Sequence, residues 1–243
     1  LALEDSVERL IRLGGMKEGD PGLCLAGGVA LNCQMNDRLR RHLKPQGIFA
    51  QPGANDAGTA IGAALEAWAH FSDGTFHVME DAYLGPGYDD EAIESVLKHY
   101  GLSYRKSTDV ATEVAERLAK GEVFCWFQHR MEFGPRALGA RSIVADPRSE
   151  AIKDRVNGIK SRQSWRPFGP SVLAGQESEW FEEPFDTRYM LFTQMVIASQ
   201  RAKVPAIVHV DGSTRPQIVH ADRHPSYHAM IHRFHALTGV PMV

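Results

Sequence analysis

The sequence has few cysteines and no long apolar run. Three cysteines occur in 243 residues, without a C-x-x-C pair, which excludes a disulfide framework and a zinc ribbon. Apolar runs such as residues 23–31 are broken by glycine, whereas a membrane-spanning helix needs about 18 apolar residues in a row. We therefore expect a cytoplasmic protein with no membrane partner, whose cysteines lie in apolar surroundings.

Internal repeats and low-complexity tracts are also missing. The composition is 43% hydrophobic and 23% charged, which is ordinary for a globular protein and excludes a collagen, a disordered tail and a coiled coil. The chain starts at Leu1, and residues 239–243 resemble the opening of a strand. We expect a fragment of a longer protein, cut at both ends.

The charge is distributed unevenly along the chain. Residues 130–166 contain nine Lys or Arg and four Asp or Glu, a local charge of +5 in a chain whose net charge is −3. A cationic window in an acidic protein suits a small anionic ligand better than a nucleic acid. A solvated helix face with interspersed charge pairs has the same composition and is the alternative.

The first part of the chain predicts strands followed by glycine loops and helices. Apolar positions in residues 3–11 have helical spacing. Strands are predicted at residues 23–26 and 48–50, and an Ala-rich helix at residues 59–70. Residues 71–88 are rich in turn formers, so we place a domain boundary within them, between positions 75 and 76.

The remainder predicts a second α/β body. Asp89 or Asp90 can cap one helix, and Thr108 or Asp109 the next, each helix closing at a glycine. A buried strand is predicted at residues 122–128. Further strands are predicted at residues 143–145, 170–173, 189–198, 206–210 and 217–219, and further helices at residues 149–159 and 225–237.

Two loops of the first body carry candidate ligands. Gly27 and Gly28 stand between a strand and a helix, where backbone N–H groups can approach a phosphate. An ordinary tight connection has the same signature. Asp56 precedes a helix, and its carboxylate is either the cap of that helix or an oxygen ligand for a divalent ion.

The densest feature is residues 130–142, RMEFGPRALGARS, which place three arginines and a serine on a glycine-punctuated loop. Guanidinium groups match phosphate oxygens, and glycine turns can aim several of them at one ligand. Residues 157–162 and 166–170 repeat the combination of cations and turn residues. An anion site is predicted here, with a solvated loop as the alternative.

Histidines are concentrated near the end of the chain. Strand alternation would put His209 and Asp211 on one face as a proton-transfer pair, and a capped turn with a solvated histidine is the alternative. His224, His228 and His232 are spaced four residues apart, which is compatible with a metal site on one helix face. We predict no metal there, because His228, His232 and His235 lie on the flank of a predicted helix, where a polar surface explains them. The buried stripe of that helix is predicted to be Tyr227, Ile231, Phe234 and Leu237.

Taken in order, these motifs resemble the carbamoyltransferase family of nodulation-factor and antibiotic O-carbamoyltransferases. Residues 27–32 and 52–58 resemble the second half of that family's ASKHA-type (actin/hexokinase-like) domain. Residues 130–148, 157–172 and 209–219 resemble its carboxy-terminal YrdC-like domain. The resemblance implies an α/β chain with the end of an ASKHA-type domain at residues 1–75 and a YrdC-like twisted-sheet domain, truncated at its end, at residues 76–243.

The resemblance also implies a two-step activity. One domain makes carbamoyl adenylate from carbamoyl phosphate and ATP, and the other passes the carbamoyl group to a hydroxyl of a small-molecule acceptor such as a sugar, a Nod factor or an antibiotic. The implied catalytic residues are Arg136, Lys160, Arg215 and His209. The implied ligands of substrate and nucleotide are Arg141, Ser142, Arg162, Gly27, Gly28 and Asn32. Asp56 is implied to bind a divalent metal, iron or magnesium.

The chain departs from the family pattern in three places. No paired metal histidines occur before Gly22, the strand expected after residues 239–241 is cut off, and Gln163 stands where Glu is common. We therefore expect both active sites to be incomplete. The alternatives are a YrdC-like protein that binds RNA or is related to tRNA modification, and a non-catalytic ligand-sensing module. The acceptor and the oligomeric state stay open.

Overall fold

The computed structural model describes residues 2–73 and 78–243, and the chain divides into two compact units. The first unit comprises Leu1–Ala82, Phe133–Arg136 and Tyr189–Thr193, and the remainder forms the second. Both helices and strands occur in each unit, so the predicted α/β class is confirmed. The predicted boundary between positions 75 and 76 lies outside the described residues.

The first unit alternates helices with two short strands. Its elements are α1 (Ala2–Leu13), β1 (Leu23–Leu25), a 3-10 helix (Gly28–Leu31), α2 (Cys33–Leu43), β2 (Ile48–Ala50) and α3 (Gly58–Phe71). β1 and β2 are parallel, with Leu23 opposite Ile48. The core contains three fully buried side chains of α2, Met35, Leu39 and Leu43. Their spacing of four residues places them on one face of the helix.

Besides 3-10 helices at Glu177–Glu179 and Ala198–Lys203, the second unit contains four α-helices and six strands within the described part. They are α4 (Asp90–His99), α5 (Val110–Leu118), β3 (Phe124–Phe127), β4 (Arg141–Val144), α6 (Glu150–Ile159), β5 (Ser171–Leu173), β6 (Gln194–Met195), β7 (Ser213–Thr214), β8 (Gln217–Val219) and α7 (Pro225–Thr238). β3 pairs with β4 and β6 with β7, both antiparallel, whereas β5 and β8 are parallel. Among described residues the strands thus form small two-stranded sheets.

Local capping explains where two helices of this unit begin. The Asp89 carboxylate accepts a hydrogen bond from the N–H of Ala92 at 2.8 Å, and the Asp109 carboxylate accepts one from Thr112 at 3.0 Å. Each bond satisfies an N–H group that the helix itself leaves unpaired. Both predicted caps are confirmed.

Helix α7 carries much of the core of the second unit. Tyr227, Met230, Ile231 and Phe234 are buried, and the helix closes at Gly239, whose φ of 73° is left-handed. The predicted buried stripe is wrong at one position, because Leu237 is 44% exposed. Leu237 lies in the last turn, where the helix leaves the core.

Two predicted strands are wrong in whole or in part. Residues 206–210 form no strand: Ala206 and Ile207 lie in a turn in which the Ile207 N–H donates to the Val204 carbonyl at 3.2 Å, and a second turn follows at residues 209–212, where the Gly212 N–H donates to the His209 carbonyl at 2.9 Å. Of residues 189–198, only Gln194–Met195 form a strand. Runs of apolar residues predict burial in both places, and burial alone does not make a strand.

The cysteines also differ from expectation. Cys24 and Cys125 are exposed, and only Cys33 is partly buried. Each exposed cysteine is the middle or second residue of a short strand whose outer face meets solvent, so apolar neighbours in sequence did not imply burial. Among the described residues, no helix is long and apolar enough to cross a membrane.

Candidate functional site

The glycine loop of the first unit follows β1. Gly27 has a φ of 90°, a backbone conformation that residues other than glycine rarely adopt. A Cβ added to Gly28 would meet nothing within 4 Å, so crowding within the chain does not explain this second glycine. Asn32 has a structural role, because its side-chain oxygen accepts a hydrogen bond from Met35 N–H at 3.1 Å and caps α2.

Arg136 lies in the first unit beside this glycine loop. Its guanidinium donates a hydrogen bond to the Leu31 carbonyl at 2.9 Å. The preceding residues are tightly packed, since a Cβ on Gly134 would lie 2.4 Å from the Pro52 carbonyl oxygen. Gly134 also has a φ of 100°, so only glycine fits there. The structure therefore brings Arg136 together with Gly27–Asn32.

Asp56 does not cap the helix that follows it. The N-cap of α3 is Ala57, which makes no side-chain capping bond, and only the backbone carbonyl of Asp56 accepts hydrogen bonds from Thr59. The carboxylate is exposed. The capping interpretation is wrong. In the part of the chain that is described, no three His, Cys, Asp or Glu side chains converge as metal ligands, and one carboxylate does not make a metal site.

The arginine-rich loop is residues 130–142, and the part of it that belongs to the second unit is organised around Glu132. This carboxylate is 3% exposed and accepts hydrogen bonds from the N–H groups of Leu138 at 2.7 Å and of Ala140 and Arg141 at 3.3 Å. The Arg141 Nε donates to it at 3.0 Å. Burial favours a raised pKa, but these donors outweigh it, and the pKa of Glu132 lies below its usual value. The charge of Arg141 is thus matched by a buried carboxylate.

The next turn of this loop is held by side chains from distant positions. Tyr83 Oη and Gln217 Nε2 both donate to the Leu138 carbonyl, at 2.7 and 2.8 Å. His224 is 1% exposed, and its Nε2 lies 2.8 Å from the Gly139 carbonyl oxygen. Burial lowers the pKa of His224 to about 4, so the ring is neutral at neutral pH and donates this hydrogen bond.

Ser142 has a similar structural role. Its Oγ accepts a hydrogen bond from Gly139 N–H at 2.9 Å. Gly139 has a φ of 99°, and a Cβ there would overlap the Tyr227 ring at 2.4 Å. The turn at residues 138–142 is therefore fixed by polar contacts on several sides.

A second group of cations contains Arg162, Arg166 and Arg215. Burial, followed by the charges of Arg166 and Arg215, lowers the pKa of Arg162. Arginine nevertheless stays protonated, so three positive charges lie close together. None of the three has a carboxylate within ion-pair distance among the described residues. The Nε of Arg215 is buried without a hydrogen-bond partner. Such a group suits an anionic ligand.

His209 belongs to the same cluster. Burial is the largest cause of its lowered pKa; Arg215 lowers it further, whereas Asp211 and the backbone of Phe168 oppose the shift. The ring contacts Ser213 Oγ at 3.2 Å, and that hydroxyl donates to Asp211 at 2.7 Å. The strand alternation on which the pairing of His209 with Asp211 was predicted is absent, and a serine bridges the two side chains.

The structure thus sorts the predicted residues into groups. Arg162, His209 and Arg215 come together, Arg136 lies with the glycine loop, and Lys160 is exposed at the end of α6. The sequence did not indicate the structural roles of three buried polar residues, Glu132, Asn157 and His224. Asn157 had a visible signal, since it is a polar residue in the helix directly before the cationic segment.

Comparison with known proteins gives the family. A sequence model described as Carbamoyltransferase C-terminus matches residues 115–243, and one described as Carbamoyltransferase N-terminus matches residues 3–65. The nodulation protein NolO of Bradyrhizobium diazoefficiens is 41% identical over 254 residues, covering 100% of this chain and 46% of the relative.

Two other relatives carry different names. Nodulation protein U of Azorhizobium caulinodans is 35% identical over 244 residues, covering 100% of this chain and 42% of the relative. The 3'-hydroxymethylcephem-O-carbamoyltransferase of Amycolatopsis lactamdurans is 34% identical over 225 residues, covering 93% of this chain and 42% of the relative. The chain spans less than half the length of these curated relatives. Since the C-terminal family model alone matches more than half of it, the chain belongs to the carbamoyltransferase family.

Proposed function

We propose that this chain is the nucleotide-activating part of an ATP-dependent O-carbamoyltransferase that makes carbamoyl adenylate from carbamoyl phosphate and ATP. The cluster of Arg162, Arg166 and Arg215 without carboxylate partners carries the proposal. Fixed cations neutralise phosphate charge without reorganisation, which is what attack of an oxygen on phosphorus requires. Membership of the carbamoyltransferase family supplies the carbamoyl chemistry.

The proposed reaction balances with one water molecule. Hydrolysis of carbamoyl phosphate gives carbamate and inorganic phosphate. A carbamate oxygen then attacks the α-phosphorus of ATP, a P–O bond forms, and pyrophosphate leaves. In the second step the acceptor hydroxyl attacks the carbamoyl carbon, loses its proton, and AMP leaves. The arginines stabilise the charge that builds on the phosphate oxygens in the first step.

Several residues contribute to this chemistry in the proposal. Arg162, Arg166 and Arg215 bind the phosphates, with Lys160 contributing from the end of α6. His209 is half-buried, and because its pKa is lowered it is neutral at neutral pH and able to accept a proton from the water that hydrolyses carbamoyl phosphate. Arg141 and Ser142 keep the neighbouring turn in shape through Glu132 and Gly139.

We propose that the first unit is the end of an ASKHA-type domain and carries out the second step. The second unit is then the YrdC-like domain. Gly28 leaves open space beside Gly27 for a ligand, and Arg136 lies against the same loop. The name of the cephem relative favours an antibiotic as the hydroxyl-bearing acceptor, and the family resemblance also implies a sugar or a Nod factor. Asp56 alone does not form the metal site expected of the family, so no step is assigned to a metal. We place the reaction in the cytoplasm, because it consumes ATP.

The test is carbamoyl-phosphate-dependent exchange of labelled pyrophosphate into ATP by the chain. We expect exchange with the wild type, a strong reduction in Lys160→Ala, and no change in Lys153→Ala, the matched control on the same helix. A folded wild type that neither exchanges pyrophosphate nor binds ATP would refute the proposal. Salt-sensitive binding of RNA without exchange would favour the RNA-binding alternative.

A further inference from the structure

The segment that presents Arg162 and Arg166, residues 160–168, is called here the cation loop. It is anchored to α6 by the side chain of Asn157. Asn157, on the last turns of α6, is 1% exposed. Its side-chain Nδ2 donates to the Ser164 carbonyl at 3.0 Å and to the Arg166 carbonyl at 3.2 Å. Both N–H groups of the amide are therefore used by the cation loop.

The oxygen of the same amide holds an arginine. Asn157 Oδ1 accepts a hydrogen bond from the Arg162 Nε. The backbone carbonyl of Asn157 accepts from the Arg162 N–H at 3.1 Å. A single buried residue thus fixes the two ends of residues 164–166 and the direction of the Arg162 side chain.

The far side of Arg162 is fixed by different contacts. A terminal guanidinium nitrogen donates to the Pro167 carbonyl at 3.1 Å, and the guanidinium carbon lies 4.1 Å from the centroid of the Phe168 ring. Three arginines of like charge repel one another, so without an anion the cluster would open unless the chain held it together. The hydrogen bonds of Asn157 oppose that repulsion.

We infer that Asn157 is a positioning residue, which holds the cation loop in its ligand-binding shape before ATP arrives. Preorganisation matters here because ordering a loop at the moment of binding lowers affinity. The inference rests on the proposed function for the identity of the ligand. The anchoring itself rests only on contacts within α6 and the cation loop.

Substitution with an isosteric carboxylate tests this role. Asn157→Asp keeps the volume but removes both N–H donors and sets carboxylate oxygens against the carbonyls of Ser164 and Arg166. Gln46→Glu is the matched control, because it also replaces an amide that donates to a backbone carbonyl, that of Gly19 at 3.0 Å, at an exposed position outside the cation loop. We expect calorimetry to show ATP binding at least tenfold weaker in Asn157→Asp and unchanged in Gln46→Glu.

Trp165 gives a second readout that does not depend on ATP. In sequence it lies between Ser164 and Arg166, whose carbonyls accept hydrogen bonds from Asn157. Trp165 is 76% exposed, whereas Trp126 and Trp180 are buried. In a Trp68→Phe background Trp165 is the exposed tryptophan that reports on the loop. We expect time-resolved fluorescence anisotropy to show more fast motion in Asn157→Asp than in the unsubstituted background, with Gln46→Glu unchanged.

The outcomes separate the two proposals. If the wild type binds no ATP, the proposed function fails, and the anisotropy of Trp165 alone decides the role of Asn157. Equal ATP affinity and equal anisotropy in Asn157→Asp and Gln46→Glu would overturn the inference. If Asn157→Asp does not fold, hydrogen exchange of the wild type replaces it, and an unprotected Arg162 N–H would overturn the inference.

Discussion

The second unit contains two groups of arginines whose surroundings differ. Arg141 faces the buried carboxylate of Glu132, which also accepts hydrogen bonds from backbone N–H groups of the same loop. Arg162 faces Arg166 and Arg215, with Asn157 as a neutral partner. The presence of a carboxylate therefore separates an arginine that holds the chain from one that is available to an anionic ligand. Residue type alone does not make this distinction.

Glu132→Ala gives the largest expected effect and tests the first group. The substitution removes the acceptor of three backbone N–H groups and leaves Arg141 without its carboxylate. We expect the free energy of unfolding to fall by about 3–5 kcal/mol, as for other broken buried ion pairs. Urea unfolding measures it.

The matched control is Glu116→Ala, which breaks the exposed ion pair of Glu116 with Arg233. Exposed pairs contribute about 0–1 kcal/mol. Similar losses in the two variants would show that Glu132 is not the organising residue of the arginine-rich loop.

His224 gives the next largest effect, through pH. Burial lowers its folded-state pKa to about 4, against about 6.5 in the unfolded chain. The unfolded state therefore takes up the proton first as the pH falls. Stability is complete above pH 6.5 and is lost toward pH 4, by about 3 kcal/mol at roughly 1.4 kcal/mol per pKa unit.

His224→Gln should flatten this part of the stability profile, because glutamine donates a hydrogen bond without titrating. The contribution of Glu132 lies at lower pH, since its lowered pKa gives stability that is lost only below its unfolded pKa of about 4.3. Urea midpoints between pH 4 and 7 measure the difference. Parallel profiles for wild type and His224→Gln would contradict the assignment.

The sequence predicted local structure better than long-range contacts. Asp89 and Asp109 were correct as caps because a cap needs only a partner three residues ahead. The sequence did not indicate the burial of His224, because its partner, the Gly139 carbonyl, lies 85 residues away. Residues 206–210 looked like a strand by apolar content, although turns closed by backbone hydrogen bonds interrupt them.

The candidate site shows the same limit. The motif identified the segments that carry the cations, and it predicted Arg162, His209 and Arg215. It did not indicate that Glu132 matches Arg141 or that Asn157 anchors the cation loop, because both facts depend on burial and on the direction of side chains. Arg136 stands five residues from Arg141 in sequence, yet it belongs to the other compact unit.

Asp56→Asn gives the smallest expected effect. The carboxylate is exposed and caps no helix, so the free energy of unfolding should change by less than about 0.5 kcal/mol. Urea unfolding and the metal content of the purified chain check this prediction. A larger loss of stability, or loss of a bound metal, would mean that Asp56 has a partner that the described residues do not supply.

Calorimetric titration with ATP tests the central claim most directly, using the wild type, Arg215→Ala and Arg233→Ala as the matched arginine control. A lost charge-assisted contact costs about 1.5–3 kcal/mol, so Arg215→Ala should bind ATP roughly 10- to 150-fold more weakly, with an unchanged urea midpoint. Arg233→Ala should bind ATP as the wild type does. Wild-type affinity in a folded Arg215→Ala chain would contradict the account.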